Sequence, residues 1–192
     1  MRSVDLPEDS EIPEPALQRL RSVPPINIYR LLGIVPQAVV PWTDLTQAVY
    51  ECTLEPRLRE IAICRQAHAA NAAYELHQHS FLARNNGVSG AELQAVLDEP
   101  TVGSLDPAAN LVCRAADELE ARAALSDETF DQLYATFGRR SATELLFVLS
   151  FYSAVARLSN ATRIPIEEEN PLRGSSNPNL TKEFESSLTL IL

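Results

Sequence analysis

The amino-acid sequence predicts an all-α protein, and three observations support this class. Apolar residues recur at helical spacing, most clearly at positions 145, 148, 149, 152, 155 and 156. Residue pairs typical of helix starts stand in front of several such segments. No stretch alternates apolar and polar residues as a half-buried strand does. The 192 residues, 45% of them hydrophobic, are enough for one domain with a sizeable core.

The chain divides into a helical middle and two polar ends. Residues 1–23 are acidic and rich in proline, and we expect a loose N-terminal arm with at most one short helix at residues 16–21. Residues 24–166 form the predicted helical domain. Residues 167–192 are predicted to be a polar tail with an apolar end, Leu188–Leu192, that docks on the body or on a neighbouring subunit.

Prolines and a glycine mark the helices in the first half of the domain. Pro36 and Pro56 stand where first-turn prolines are favoured. The long segment that Pro56 opens is expected to end at Gly87, a residue that adopts positive φ without strain. Asn71, in the middle of this segment, is a plausible cap that would divide it into two helices.

Later helix starts are predicted from N-cap residues. The four predicted starts are Ser89, Asp106, Ser126 and Ser141. Ser89 and Ser141 each open a capping box, in which the Glu three residues later bonds back to the cap residue. The helix after Asp106 is expected to run to about Ala121, and the helix after Ser126 to stop before Gly138.

Charge and cysteine content exclude several classes of function. The net charge of −10 argues against nucleic acid as a partner, because binding to phosphates requires clustered Lys and Arg. Lys182 is the only Lys, which argues against a polybasic membrane patch. Cys52, Cys64 and Cys113 fit neither a disulfide framework nor a zinc site. We therefore expect a reducing, cytoplasmic location.

The sequence also argues against membrane insertion. No apolar run follows the single Arg at the N-terminus, so it does not look like a secretory signal. The longest apolar stretch, residues 145–156, is too short to cross a bilayer of roughly 30 Å. We interpret it as a buried helix.

The residues best suited to chemistry lie between positions 58 and 79. Glu75 and His79 are four residues apart, so on a helix they share one face and form a potential proton-transfer pair. Glu60 approaches the same face if the chain reverses at Asn71. An isolated pair at this spacing is more often a surface or capping interaction, but the surrounding alanines favour burial and perturbed pKa values. His77 projects roughly 200° away around the helix.

These motifs, in their order and spacing, resemble the carboxymuconolactone decarboxylase family, which shares its fold with alkylhydroperoxidase D-like proteins. The resemblance covers about residues 24–167. It is carried chiefly by Leu58-Arg59-Glu60-Ile61-Ala62-Ile63, Tyr74-Glu75, His79, Gly87-Val88-Ser89 and Arg114-Ala115-Ala116-Asp117-Glu118-Leu119. It implies an all-α bundle that assembles as a trimer or hexamer, with a dimer as the alternative.

The resemblance also separates two chemical branches. The peroxidase branch uses a CxxC pair, and those two positions are Ala72 and Glu75 in this chain, while Glu60 and His79 keep the positions of its proton relay. A dithiol cycle cannot run without the two thiols. The decarboxylase branch has Tyr-Glu ahead of the His, as in Tyr74-Glu75 here. Leu76 stands where the family often has Trp.

The resemblance therefore implies a cofactor-independent carbon–carbon lyase, or a related isomerase or cyclase. Its substrate would be a small molecule with a carbonyl or carboxylate group, such as an unsaturated lactone acid. No metal or organic cofactor is expected. His79 is the expected proton donor or acceptor, with Glu75 as its partner acid/base and Glu60 orienting the imidazole.

Two further residues are candidates for substrate binding, each with a structural alternative. Arg65 can pair with a substrate carboxylate or form a structural ion pair. Tyr74 can donate to a developing oxyanion or simply pack. Two other functions remain open: an alkylhydroperoxidase-like thiol oxidoreductase, and a non-catalytic oligomeric protein that binds a small molecule.

Overall fold

The computed structural model describes residues 2–178, which contain helices and no strands, so the predicted all-α class is confirmed. A 3₁₀ turn at Asp9–Glu11 comes first. The helices are α1 (Glu14–Arg21), α2 (Asn27–Leu32), α3 (Pro36–Tyr50), α4 (Pro56–Ala69), α5 (Ala73–Asn85), α6 (Gly90–Asp98), α7 (Pro107–Arg122) and α8 (Asp127–Thr162).

Local sequence signals set most of the helix starts. Pro36 and Pro56 are each the first residue of their helix, as predicted. The Ser89 hydroxyl accepts from the backbone N–H of Glu92, whose carboxylate accepts from the N–H of Ser89, which completes the predicted capping box. Asp106 and Ser126 also cap their helices through side-chain oxygens. These starts are decided within four residues of sequence.

Asn71 separates α4 from α5, but it acts as a helix end. Its φ is 51°, and its N–H bonds to the carbonyl of His68, while the N–H of Ala72 bonds to the carbonyl of Ala67. This is the paired hydrogen bonding of a Schellman motif, which terminates α4. The N-cap of α5 is Ala72, which has no capping side chain. Gly87, with φ of 90°, ends α5 in the same way, as predicted.

Helix α8 is broken at Gly138, where φ is 71° and ψ is 171°. The predicted interruption is therefore confirmed. The predicted N-cap at Ser141 is wrong, because the helix resumes directly after Gly138 and Ser141 already lies inside it. Glu144 accepts hydrogen bonds from the N–H and hydroxyl of Thr53, at 2.8 and 2.6 Å, instead of closing a capping box.

The second part of α8 is a core helix. By length and composition alone, α8 is apolar enough to cross a membrane. Half of its most apolar window is buried inside the molecule, however, and buried helices of soluble proteins pass the same test. The helical set at positions 145, 148, 149, 152, 155 and 156 is buried throughout, which fits the interior of a soluble bundle.

The N-terminal segment packs on the body and is not loose. Ile12, Ala16, Leu17 and Val23 are all buried, and α1 lies against α3. The N–H of Val4 also bonds to the carbonyl of Thr162 at the end of α8. The proline and acidic content of this segment suggests a free arm, but the segment also has a short apolar face. Docking of this face removes its side chains from water. The expected role of Leu188–Leu192 concerns residues beyond the described range.

Helix α4 occupies the centre of the fold. Every residue from Leu58 to Ala67 is buried, and α5, α6, α7 and α8 all pack against this helix. An amphipathic surface helix buries one stripe, whereas a helix enclosed on all sides must also satisfy its polar side chains internally. Those polar side chains are Arg59, Glu60, Arg65 and Gln66.

Arg65 shows how such a group is satisfied. Its guanidinium forms a two-point ion pair with Asp117 on α7, at 2.6 and 2.9 Å. The remaining N–H groups donate to the carbonyls of Val96, Glu99 and Pro100 around the end of α6. All five donors are thus engaged. The expectation that Arg65 meets a substrate carboxylate does not fit this geometry, and its structural alternative does.

We expect Arg65→Met to lower the free energy of unfolding by about 3 kcal/mol, since it leaves Asp117 and three carbonyls without their partner. Urea denaturation of the purified variant measures this. Arg122→Met is the matched control, because Arg122 is half exposed and its contacts are local, with Glu118 one turn away and with the carbonyl of Ala124. It should cost less than about 1 kcal/mol. Equal losses in the two variants would contradict the structural role of Arg65.

Candidate active site

A partly open cavity lies between α2, α3, α5, α8 and the segment that follows α8, and its empty volume, including space open to solvent, is about 390 Å³. Its wall is mainly apolar and aromatic, with a few polar side chains from α5. The lining residues are Ile26, Ile28, Tyr29, Trp42, Thr46, Tyr74, Glu75, Gln78, His79, Phe151, Tyr152, Val155, Leu172 and Pro178.

His79 is held in place by Glu60. Its Nδ1 lies 2.9 Å from Oε2 of Glu60, a residue on α4 that is wholly buried. The Tyr152 ring meets the imidazole edge-on at 4.6 Å between centroids. Because the chain reverses at Asn71, α5 packs along α4 and brings together two residues that are 19 apart in sequence. The predicted approach of Glu60 to His79 is what the structure shows.

Glu60 itself is anchored from the other side. Nε of Arg59 lies 3.1 Å from its Oε1, and the Arg59 guanidinium lies over the Tyr50 ring at 4.2 Å. The buried carboxylate thus has one oxygen for a cation and one for the imidazole. Nε2 of His79 has no hydrogen-bond partner among the described residues, and His79 lines the cavity. This nitrogen is therefore the one placed to exchange a proton with a ligand.

Glu75 lies on the same cavity wall and is unpaired. It is 1% exposed, and neither carboxylate oxygen has a hydrogen-bond partner within residues 2–178. Burial raises the pKa of Glu75 well above its usual range, and the nearby Glu120 carboxyl raises it further. The protonated, hydrogen-bond-donating form is favoured. No hydrogen bond joins Glu75 to His79 in this structure, so Glu60 and not Glu75 is the partner of the imidazole.

Tyr74 has its hydroxyl engaged at the cavity rim. The hydroxyl accepts from the N–H of Ile28 at 3.0 Å and donates to Oε1 of Glu167 at 2.8 Å. Glu167 also accepts from Gln78 and from the N–H of Asn27. This geometry favours a structural role for Tyr74 over an oxyanion donor. No local sequence signal points to a role for Glu167, because its partners lie far away along the chain.

The segment after α8 completes the cavity. Leu172 is 1% exposed, and both Leu172 and Pro178 contribute to the wall. The side-chain amides of Asn85 and Asn86 bind the carbonyls of Ser175 and Ser176. The described portion of the predicted tail is therefore tied to α5 and closes one side of the site.

The cysteines are poorly placed for redox chemistry. All three are free, and Cys64 and Cys113 are buried. Burial raises the pKa of Cys64 well above its usual range and that of Cys113 to about 12, so neither is a reactive thiolate. Ala72, at the start of α5, and Glu75 hold the positions of the peroxidase-type cysteines. His68 is exposed and His77 packs edge-on against Phe81, away from the cavity.

The described residues contain no group of three or more His, Cys, Asp or Glu arranged to hold a metal ion.

The chain has an alkylhydroperoxidase D-like fold. The chain matches the crystal structure of an alkylhydroperoxidase AhpD core, an uncharacterized peroxidase-related protein from Ralstonia eutropha JMP134, with a TM-score of 0.76. The match covers 92% of this chain and 97% of that chain at 17% identity, which defines the fold and leaves the reaction open.

Residues 36–118 match the model of the carboxymuconolactone decarboxylase family. The family resemblance predicted from the sequence is confirmed. The matched region contains Glu60, Tyr74, Glu75 and His79, the residues of the cavity and its support. No curated protein matches the chain.

We expect Glu75→Gln to stabilise the fold increasingly as the pH rises. Between the ordinary Glu pKa of 4.5 and its raised value, the folded protein binds more protons than the unfolded chain, so the free energy of unfolding falls with rising pH. A neutral amide removes this loss. Thermal unfolding should show little difference below that ordinary pKa, and a Tm several degrees higher at neutral pH, at about 2–4 °C per kcal/mol.

Glu168→Gln is the control for this experiment, since Glu168 is exposed. It removes the same charge and should leave the pH profile of Tm unchanged. A profile for Glu75→Gln that runs parallel to that of the unmodified protein would contradict the buried, protonated state.

Proposed function

We propose that this protein is a cofactor-independent acid/base enzyme acting on a small carbonyl-bearing molecule. The observation that carries the proposal is the buried Glu60–His79 hydrogen bond of 2.9 Å, beside a cavity that also holds the unpaired Glu75. A carboxylate on Nδ1 fixes the tautomer and the orientation of the imidazole ring. A protonated carboxyl on the same wall supplies the complementary acid.

The two groups divide the work of moving a proton. Nε2 of His79 removes a proton from the carbon next to the substrate carbonyl, and the C–H electron pair forms the C=C bond of an enol. The carbonyl π electrons move to oxygen, which takes a proton or a strong hydrogen bond from Glu75. Return of the proton from His79 to a different carbon of the conjugated enol, while Glu75 recovers its proton from the enol oxygen, completes an isomerisation. In an aldol-type cyclisation, the enol carbon instead attacks a second carbonyl carbon of the same molecule, whose C–O π bond opens and whose oxygen takes the proton from His79.

The same arrangement also serves decarboxylation. Loss of CO₂ from a carbon conjugated to a carbonyl leaves its electron pair on the substrate as a dienolate. Glu75 stabilises the oxygen of this dienolate, and the imidazolium of His79 delivers a proton to carbon. Glu60 stabilises the imidazolium in either case. The match of residues 36–118 to the carboxymuconolactone decarboxylase family model supports this class of reaction.

A thiol-based peroxidase is the weaker alternative. The similar structure from Ralstonia eutropha carries the description peroxidase-related. In this chain the two positions of the CxxC pair are Ala72 and Glu75, and Cys64 is buried with a raised pKa. We expect no thiol-dependent turnover of an organic hydroperoxide. Turnover that is lost on alkylation of Cys64 would favour the alternative.

We also propose a cytoplasmic homo-oligomer. Three free cysteines suit a reducing compartment. Exposed apolar side chains between the end of α2 and the middle of α3 offer surface for a second copy; they are Ile34, Val35, Val40 and Leu45. Light scattering at micromolar concentration should give a mass above that of one chain, and a monomer would contradict this part of the proposal.

Proton transfer is testable before the natural substrate is identified. Deuterium incorporation from D₂O into a panel of unsaturated lactones and cyclic enones, followed by NMR, reports removal and return of a carbon-bound proton. His79→Ala and Glu75→Gln should each lower the exchange rate by about 10²–10⁴-fold. Glu60→Gln should lower it less, because an amide still holds the ring but stabilises imidazolium poorly.

His77→Ala is the matched control, since it removes a histidine of α5 that does not line the cavity. It should leave the exchange rate unchanged, and circular dichroism should show intact helicity in every variant. Undiminished exchange in a folded His79→Ala variant would contradict the mechanism and favour a non-catalytic binding protein.

A further inference from the structure

The groups around the cavity determine which charge a ligand can carry there. This inference rests on the proposed function of the site. One wall is apolar and partly aromatic, formed chiefly by Ile28, Trp42, Phe151 and Val155. Trp42 and Phe151 lie 5.4 Å apart between ring centroids. Such a surface favours a flat or cyclic hydrocarbon body, because its burial removes apolar area from water.

The cavity lining also includes Glu75, whose carboxyl group is unsatisfied. Both of its carboxyl oxygens are buried and lack a hydrogen-bond partner in the described part of the chain. Leaving a buried polar group unpaired costs free energy, and a bound ligand with a polar atom at this point removes that cost. A ligand carbonyl oxygen accepts from the protonated carboxyl, whereas a ligand carboxylate there would place a second acid against it.

Carboxyl groups surround the site on several sides. Glu60 lies directly behind His79 at 2.9 Å, and Glu167 lies beneath Tyr74 and Gln78, which both line the cavity. Glu120 is close enough to interact with Glu75. A ligand carboxylate would bring a further negative charge close to these carboxyl groups. Repulsion between them is poorly screened in the low dielectric of the protein interior.

Among residues 2–178, the cations near the cavity are already engaged by other groups. Arg59 donates to Glu60 and lies over the Tyr50 ring, and Arg65 has every donor engaged with α6 and α7. Neither lines the cavity. The polar groups that do face a ligand are therefore a carboxylic acid, an imidazole, an amide and hydroxyls.

We propose that the site takes an uncharged cyclic carbonyl compound, with its carbonyl oxygen at Glu75 and its reacting carbon at Nε2 of His79, and discriminates against the corresponding carboxylate. The site then favours isomerisation or cyclisation of a neutral substrate over decarboxylation of a lactone acid. Trp42 provides the reporter, since it is the single Trp of the chain and lines the cavity.

The test titrates Trp fluorescence of the full chain at neutral pH with two isosteric probes, cyclohexanecarboxamide and cyclohexanecarboxylate. We expect the neutral amide to bind at least about tenfold more tightly than the carboxylate. Glu75→Leu should weaken amide binding by about tenfold, because the probe carbonyl loses its donor. Glu168→Leu, at an exposed position, should leave it unchanged.

The opposite results overturn the proposal. If the carboxylate binds as tightly as the amide, the proposal is wrong. It is also wrong if neither probe gives a saturable fluorescence signal. Equal amide affinity in Glu75→Leu and the unmodified protein would show that Glu75 does not contact the ligand. Because binding is measured without turnover, this preference stands or falls separately from the acid/base reaction, which the deuterium exchange of His79→Ala tests.

Discussion

Burial of the central helix α4 on every side is the constraint on which the rest of the structure depends. A helix enclosed by four others cannot turn its polar residues to water, so each must find a partner in a neighbouring helix. Arg59 meets Tyr50 of α3, Arg65 meets Asp117 of α7 and the end of α6, and Gln66 donates to Glu120 of α7. These contacts fix how the surrounding helices pack. Glu60 belongs to the same set, and its partner is the imidazole of His79.

The candidate active site is thus an extension of the packing of α4. The hydrogen bond that satisfies Glu60 also leaves His79 with one nitrogen free beside a cavity. Glu75 breaks the pattern, because it is buried as deeply and has neither oxygen paired. An unsatisfied carboxyl lowers stability, and groups of this kind cluster at functional sites, where a ligand supplies the missing partner. The contrast between paired Glu60 and unpaired Glu75 suits two carboxyls of different charge state and different roles.

Closure of the cavity depends on chain segments that are remote in sequence. Glu167 binds the hydroxyl of Tyr74, the amide of Gln78 and the N–H of Asn27, so a single carboxylate joins α5, the start of α2 and the segment after α8. Leu172 then fills the wall beside it. The cavity is therefore bounded by the start of α2 and by the segment after α8, and α5 provides its reactive face.

The sequence by itself determined the features that depend on neighbouring residues. First-turn prolines, capping boxes and the breaks at Asn71 and Gly138 arise within a few positions, so the helices could be predicted nearly to their ends. The i,i+4 spacing of Glu75 and His79 likewise placed both on one face. Where a local signal failed, as at Ser141, a helix that had already restarted overrode it.

Only the tertiary structure decided which polar group each buried side chain meets. Arg65 and Asp117 are 52 residues apart, and Tyr74 and Glu167 are 93 apart, so no local spacing relates them. The same holds for the docking of the N-terminal segment and for the choice of Glu60 over Glu75 as partner of His79. Local conformation is set by caps and backbone preferences of adjacent residues, whereas partners in the core are set by how whole helices pack, which is a property of the complete chain.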